Sequence, residues 1–222
     1  MPIAAIHIHG YRTDDYRDTV GQLDQLYEEA GVVSRVLVYD ADNVAEARRM
    51  NPDTARRLKN FIIYYRERGY TTVVTAHSNG NTILRMCYDH YEVSPDIAVC
   101  IQPALPSDIH PSPDAKHTTV YWNPEDRVVK FGRILTWITS LFSEEWAAAR
   151  NWGEMGRTGY TGSELNIESI NTADKIFPRR AVEHSGIFEH PSAGYWMEYI
   201  FKTSYARALS LSLVDERQIV TT

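Results

Sequence analysis

Residues 71–80 read Thr-Thr-Val-Val-Thr-Ala-His-Ser-Asn-Gly, and this decapeptide is the most informative part of the chain. Its first half is rich in β-branched residues, which is typical of a buried strand. Ser78 follows in a turn of small residues, and a helical pattern begins directly after it. Ala76 and Gly80 stand two residues on either side of Ser78, where a sharp turn brings the chain close to neighbouring backbone. In this strand–turn–helix context Ser78 is either a nucleophile or an ordinary turn serine.

Strand and helix patterns alternate along the rest of the chain. The predicted strands are residues 3–8, 32–39, 71–76, 96–101, 118–122 and 165–170. The predicted helices run from Asp14 or Asp15 to Ala30, from an Asn51 cap with Pro52 in the first turn to Arg68, from Asn79 to Tyr91, and near the C-terminus. The nearly continuous apolar run at 32–39 is expected to be buried on both faces. The alternation predicts an α/β fold with a mostly parallel central sheet of about six strands and helices on both faces.

Residues 1–222 are expected to form a single domain, with a small helical cap around 131–164 between the fifth and sixth strands. A net charge of −6 argues against nucleic acid or an anionic membrane surface as a partner. The chain shows neither a signal-peptide pattern nor an apolar run of membrane-spanning length, so a cytoplasmic protein is expected. Cys87 and Cys100 are predicted to be buried, reduced thiols. No cofactor or metal motif is found, and the oligomeric state is left open.

A serine hydroxyl needs a neighbouring base, most often an imidazole oriented by a carboxylate. Asp126 is the candidate carboxylate because it follows the predicted fifth strand and its Asn-Pro turn. A turn aspartate bonded to its own backbone is the alternative interpretation of Asp126. Weaker candidates are Asp108 and Asp114, and Glu125 is expected to be solvated.

His184 is the candidate base because it follows the last predicted strand in a loop with Ser185 and Gly186. The second candidate is His190. Four other histidines fit less well: His110 and His117 are expected to be exposed, His7 to lie in the core, and His77 to point away from Ser78.

Negative charge on a carbonyl oxygen needs preorganised donors. The backbone N–H of Asn79 lies at the start of the predicted elbow helix, where the helix dipole adds to its effect. The second donor is expected in the turn His9-Gly10-Tyr11 after the first strand, at the N–H of Tyr11. His9-Gly10 as a plain strand end is the alternative.

Together these motifs resemble the α/β-hydrolase superfamily. The resemblance rests on the small-x-Ser-x-small elbow at 76–80, the His9-Gly10 turn, the acid turn 125–129 and the late His184-Ser185-Gly186. The order Ser78, Asp126, His184 is the order of that superfamily. The resemblance implies a serine hydrolase, with Ser78 as nucleophile, His184 as base, Asp126 as its orienter, and the amides of Tyr11 and Asn79 as oxyanion donors. The implied substrate is a small acyl compound, with an ester ahead of an amide or thioester.

The sequence departs from the superfamily pattern in three respects. Ala76 replaces the usual glycine, the extra glycines of one lipase oxyanion loop are missing, and the chain starts at the His-Gly strand. The last departure suggests a minimal version without the two leading strands. The alternative function is a non-catalytic binding or assembly module on the same fold.

Overall fold

The structure is a computed structural model that describes residues 2–11, 19–40, 44–130, 153–174, 179–181, 183–189 and 191–219, with side chains left undescribed at 44–49 and 214–219. In chain order the elements are β1 (Ile3–Ile8), α1 (Gly21–Glu29), β2 (Val33–Leu37), α2 (Val44–Arg66), β3 (Thr71–His77), α3 (Gly80–Tyr91), β4 (Ile97–Ile101), β5 (His117–Trp122), α4 (Met155–Thr158), β6 (Ile167–Asn171) and α5 (Ala193–Ile219).

The six strands form one parallel sheet in the order β2-β1-β3-β4-β5-β6. This confirms the predicted α/β fold and its central sheet. From β1 the chain crosses to β2 on one side and then returns to β3 on the other, so strand order reverses between β1 and β3. Ligands of such sheets bind at the carboxyl ends of the strands beside this reversal. The turns after β1 and β3 both lie there.

Each face of the sheet carries its own hydrophobic core, because successive strand residues point to opposite faces. Val74 and Ala76 of β3 pack with α2 and α3, whereas Val73 packs with α1 and α5. The first core includes Leu58, Ile62, Ile83, Leu84 and Cys87, and the second includes Leu23, Tyr27, Trp196, Met197 and Ile200. Helices therefore cover both faces, as predicted.

Two predictions about β2 and α2 are wrong. β2 is shorter than the apolar run 32–39, and it is an edge strand in which Val33 is exposed and Leu37 is buried. The apolar run gave no sign of an edge because apolar residues in a strand report how helices cover its two faces, not how many strands pair beside it. α2 begins at Val44, so Asn51 is not its cap and Pro52 lies inside the helix. The side chain of Asn51 bonds Asn79 instead of capping backbone.

The remaining boundaries differ by a few residues. The predicted start of the first helix at Asp14 or Asp15 lies outside the described residues, and so does most of the predicted cap, at 131–152. α4 is a short helix inside the segment 131–164. Cys87 and Cys100 are free and buried, as expected, and burial raises the pKa of the Cys87 thiol to about 12. Among the helices of the described ranges, none is long and apolar enough to span a membrane.

Candidate active site

Ser78 occupies a strained position between β3 and α3. Its φ is +51°, in the left-handed region that costs a non-glycine residue about 1–2 kcal/mol. The residue is 3 % exposed, its N–H donates to the carbonyl of Ile101, and its carbonyl accepts from Asn81. Asn81 also donates to the carbonyls of Ala76 and Ile101, so one buried amide braces the whole turn. Hydrogen bonds to the end of β4 and to the first turn of α3 therefore stabilise the strained backbone of Ser78.

Close packing at two glycines brings the turn after β1 against the elbow. A Cβ on Gly10 would lie 2.9 Å from Cβ of Ser78, and a Cβ on Gly80 would lie 2.7 Å from the carbonyl oxygen of Ile8. Real Cβ atoms do not approach this closely, so both positions exclude a side chain. The predicted oxyanion turn and the predicted nucleophile are consequently in direct contact.

Asp126 and His184 form a buried hydrogen-bonded pair. The His184 Nδ1–H donates to Asp126 Oδ2 at 2.7 Å, with 10 % and 0 % of the two side chains exposed. The other carboxylate oxygen, Oδ1, accepts from the N–H of Val129 at 3.0 Å. Asp126 is therefore both the turn aspartate and the partner of His184. Its acceptor role fixes the imidazole with a proton on Nδ1 and leaves Nε2 as an acceptor.

Neighbouring residues hold the acid turn. Buried Asn123 donates from Nδ2 to the carbonyl of Ala181 at 2.6 Å, and its Oδ1 accepts from the N–H of Glu125. Glu125 itself is exposed and pairs with Arg180, as expected of a solvated neighbour.

The backbone that carries His184 is anchored to the ends of β3 and β4. Gln102, which is fully buried just after β4, donates from Nε2 to the carbonyl of Glu183 at 2.6 Å. His77 Nε2–H donates to the carbonyl of His184 at 3.4 Å. Gln102 and Glu183 have φ values of +43° and +65°. With Ser78, three of the four non-glycine residues with positive φ in the described chain therefore lie here.

The ring of His77 lies beside the imidazole of His184. Their ring centres are 5.0 Å apart, and Phe188 packs edge-on against His77 at 4.9 Å. Burial, with the neighbouring imidazoles adding to it, holds the pKa of His77 well below its ordinary value. His77 is therefore a neutral supporting ring, and the prediction that it is not the base fits this environment.

A buried polar network joins the turn after β1 to the start of α3. The Tyr39 hydroxyl donates to the carbonyl of His9 and accepts from Asn79 Nδ2, both at 3.0 Å. Asn79 also exchanges two hydrogen bonds with Asn51 of α2, and the rings of His9 and Tyr39 stack at 4.4 Å. Burial raises the pKa of Tyr39 and lowers that of His9, so both side chains stay neutral.

The network therefore holds Asn79, which carries one predicted oxyanion donor, and His9, two residues before Tyr11, which carries the other. In the described part of the chain, the backbone N–H of Asn79 donates to no other group. Because Asn79 precedes the first residue of α3, this N–H lies at the positive end of a helix dipole.

Not every predicted contact is made. Among the described residues, no hydrogen bond joins Ser78 Oγ to the His184 ring, although His77 links the two segments. Asp108 and Asp114 are exposed, and His190 lies outside the described residues. His110 was expected to be exposed but is buried, and its ring accepts from the N–H of Ser112 and contacts Asn166.

Sequence reasoning missed Gln102, Tyr39 and Asn51. Gln102 and Tyr39 follow strands, as Ser78 and Asp126 do, and this position was the available signal. The sequence signal at Asn51 was misleading, because an Asn-Pro pair is typical of a helix start.

A polar cavity of about 460 Å³ opens beside the acid turn. Its lining includes Asp126 and Glu183, together with the basic residues Arg127, Lys130 and Arg157. Acidic and basic side chains therefore line a cavity next to the Asp126–His184 pair.

Comparison with known proteins identifies the fold. No family model and no curated protein sequence matches the chain. Among solved structures, a proposed hydrolase of the alpha/beta superfamily from Xanthomonas campestris pv. campestris is similar with a TM-score of 0.53 and 14 % identity, over 91 % of this chain and 98 % of that one. A structure from work on the metagenome-derived lipolytic enzymes LipS and LipT gives 0.54 and 14 %, over 94 % of both chains. A proposed YdeN-like hydrolase from Pectobacterium atrosepticum gives 0.52 and 12 %, over 92 % of both chains. The chain therefore has the α/β-hydrolase fold.

Proposed function

We propose that this protein is a serine hydrolase that cleaves carboxylic esters through an acyl-enzyme intermediate. Ser78 is the nucleophile, His184 is the general base, Asp126 orients it, and the amides of Tyr11 and Asn79 receive the oxyanion. The observation that carries the proposal is the buried 2.7 Å hydrogen bond from His184 to Asp126. This hydrogen bond lies at the carboxyl ends of the strands, where the strained Ser78 also lies.

In the proposed reaction, Ser78 Oγ attacks the ester carbonyl carbon while His184 Nε2 takes the hydroxyl proton. The carbonyl electron pair moves to oxygen, which the two backbone amides stabilise. Collapse of the tetrahedral intermediate expels the alcohol, which takes the proton from His184. Water then attacks the acyl-enzyme with the same base, and the carboxylic acid leaves as Ser78 regains its proton.

Esters come first because their alcohol leaving group needs less protonation than an amine. The fold likeness to a lipolytic enzyme supports the same choice. Amide and thioester hydrolysis use the same residues and remain alternatives within the class.

A non-catalytic binding module is the second candidate function. It is favoured by one observation, that no hydrogen bond joins Ser78 Oγ to His184 among the described residues. Catalytic hydrogen bonds are often long in ligand-free enzymes and shorten when substrate binds, so we place this candidate second.

Labelling with a fluorophosphonate tests the proposal directly. The folded protein should be modified at Ser78, and Ser78→Ala should abolish the labelling. Ser94→Ala is the matched control, because Ser94 is also buried but precedes β4 at the opposite end of the sheet. An unlabelled native protein would favour the binding module. Hydrolysis of p-nitrophenyl esters of increasing acyl length then reports the activity and the depth of the acyl site together.

A further inference from the structure

A second cavity, of about 610 Å³, lies away from Ser78 at the open edge of the sheet. It is formed between the edge strand β2 and one side of α2, and we call it the edge groove. Its lining residues are Val33, Arg35, Arg57, Asn60, Phe61, Tyr64, Tyr65, Arg68 and Tyr70. A volume of this size falls within the range of about 300–1,000 Å³ found for small-molecule sites. None of its lining residues belongs to the proposed catalytic machinery.

The helix side of the edge groove is a regular stripe. Arg57, Phe61 and Tyr64 are spaced four and three residues apart along one face of α2, and Arg68 follows in the turn after the helix. The neighbouring face of the same helix is buried in the core through Leu58 and other apolar residues. Phe61 also packs against this core, whereas Tyr64 is 49 % exposed and is left free to contact a ligand.

The charge of the edge groove is opposite to that of the whole protein. Three guanidinium groups line it, from Arg35, Arg57 and Arg68, and no acidic residue is among its described lining residues. In the described part of the chain none of the three forms an ion pair; Arg57 and Arg68 donate only to backbone carbonyls. By contrast, Arg56, next to Arg57, pairs with Asp53. In a chain of net charge −6, this is a localised positive site.

The aromatic rings give the groove a second chemical property. The guanidinium carbon of Arg68 lies 3.6 Å from the centre of the Tyr64 ring. Tyr65 packs against Tyr64 at 5.2 Å and against Tyr70 at 5.4 Å. Flat aromatic and guanidinium surfaces stack on flat rings. A guanidinium group without an acidic partner can also bind a phosphate or carboxylate through two parallel hydrogen bonds.

We propose that the edge groove binds a small organic anion that carries a flat ring, of the size and chemistry of a nucleoside monophosphate. The Arg68–Tyr64 stack receives the ring, and Arg57 and Arg35 receive the anionic group. The proposal does not depend on the chemistry at Ser78. A long nucleic acid is disfavoured because the rest of the surface carries net negative charge.

Calorimetric titration of the full chain with adenosine 5′-monophosphate tests the proposal. One saturable site is expected, with weaker binding of adenosine and of inorganic phosphate than of the whole nucleotide. Arg57→Ala and Tyr64→Ala should each weaken binding by at least about tenfold. Arg56→Ala is the matched control one residue away and should leave binding unchanged. Fluorophosphonate labelling of Ser78, where it occurs, should proceed at the same rate with the nucleotide present.

Four outcomes would overturn the proposal. The first two are that the nucleotide shows no saturable binding up to about 5 mM and that inorganic phosphate alone binds as tightly as the nucleotide. The other two are that the Arg57→Ala variant binds the nucleotide as tightly as the wild type and that bound nucleotide protects Ser78 from labelling. Sedimentation under the same conditions adds one more: a dimer that Arg57→Glu dissociates would assign the edge groove to a second copy of the chain.

Discussion

The two carboxylate oxygens of Asp126 have different partners. One oxygen stabilises the turn, and the other takes part in the proposed chemistry. Oδ1 accepts from the N–H of Val129 and holds the turn, whereas Oδ2 accepts from His184 Nδ1. An asparagine can keep the first bond through its amide oxygen. It cannot keep the second without reversing the direction of donation.

Asp126→Asn should therefore leave the fold intact and remove most of the activity. The new Nδ2–H would face His184 Nδ1 and favour the tautomer with its proton on Nε2, which cannot take a proton from Ser78. We expect kcat/KM for an ester to fall by roughly 10³–10⁴-fold, with an unchanged circular dichroism spectrum. Glu125→Gln, at the exposed neighbouring position, is the control and should keep wild-type rates. A rate for Asp126→Asn within about threefold of wild type would show that another group orients the base.

At the same scale, the sequence indicates some site residues and conceals others. Ser78, Asp126 and His184 were proposed because each follows a strand, and the structure places Asp126 and His184 in direct contact. Gln102 also follows a strand, but its role depends on a contact with Glu183, 81 residues later in the chain. Nothing local to a glutamine specifies such a partner, so only the folded chain shows it.

At the scale of the elements, the site depends on four segments that one buried polar network joins. Hydrogen bonds of His9, Tyr39, Asn51 and Asn79 join the turn after β1, the segment after β2, the first half of α2 and the start of α3. Buried polar groups in such a network are costly to leave unpaired, so the network specifies how the four segments align.

Removal of the Tyr39 hydroxyl should loosen this alignment. In Tyr39→Phe the carbonyl of His9 loses its donor and Asn79 loses one acceptor. We expect the free energy of unfolding to drop by about 1–3 kcal/mol and kcat for an ester to fall, since both predicted oxyanion donors adjoin these groups. Tyr27→Phe is the matched control: it also removes a buried hydroxyl bond, to Ser204, in the core between α1 and α5. It should lower stability without changing kcat, and an equal loss of kcat in both variants would contradict a positioning role for Tyr39.

The element boundaries also show where sequence patterns fail. The strand runs of β1 and β3 were predicted to within a residue because β-branched residues and flanking turns agree there. α2 was misplaced because proline is favoured in a first helical turn, whereas here Pro52 lies inside the helix. The edge position of β2 depends on strand order, which residue patterns along one strand do not encode.

At the scale of the whole molecule, stability depends on histidines that are held neutral. His7 lies near the carboxyl end of β1 and is fully buried. Its Nε2 is hydrogen-bonded to the hydroxyl of Ser34, and its ring lies 5.4 Å from that of Tyr27. Burial lowers the pKa of His7 to about 3, and burial also lowers that of His77. The folded chain therefore excludes protons that the unfolded chain binds.

Acidification should consequently destabilise the protein below pH 6.5, before most carboxylates titrate. Between pH 6.5, the ordinary histidine pKa, and about pH 3, the folded value for His7, the unfolded state binds the proton and the folded state does not. The contribution of His7 to stability is thus full above pH 6.5 and is lost as pH falls, by about 1.4 kcal/mol per pH unit.

Urea unfolding of the wild type and of His7→Gln at pH 7, 6, 5 and 4 measures this loss, and the variant should lose less stability per pH unit. Ser34→Ala removes the hydrogen bond to the ring but keeps the titrating group, so its slope should match the wild type. Parallel curves for the wild type and His7→Gln would mean that His7 accepts its proton in the folded state.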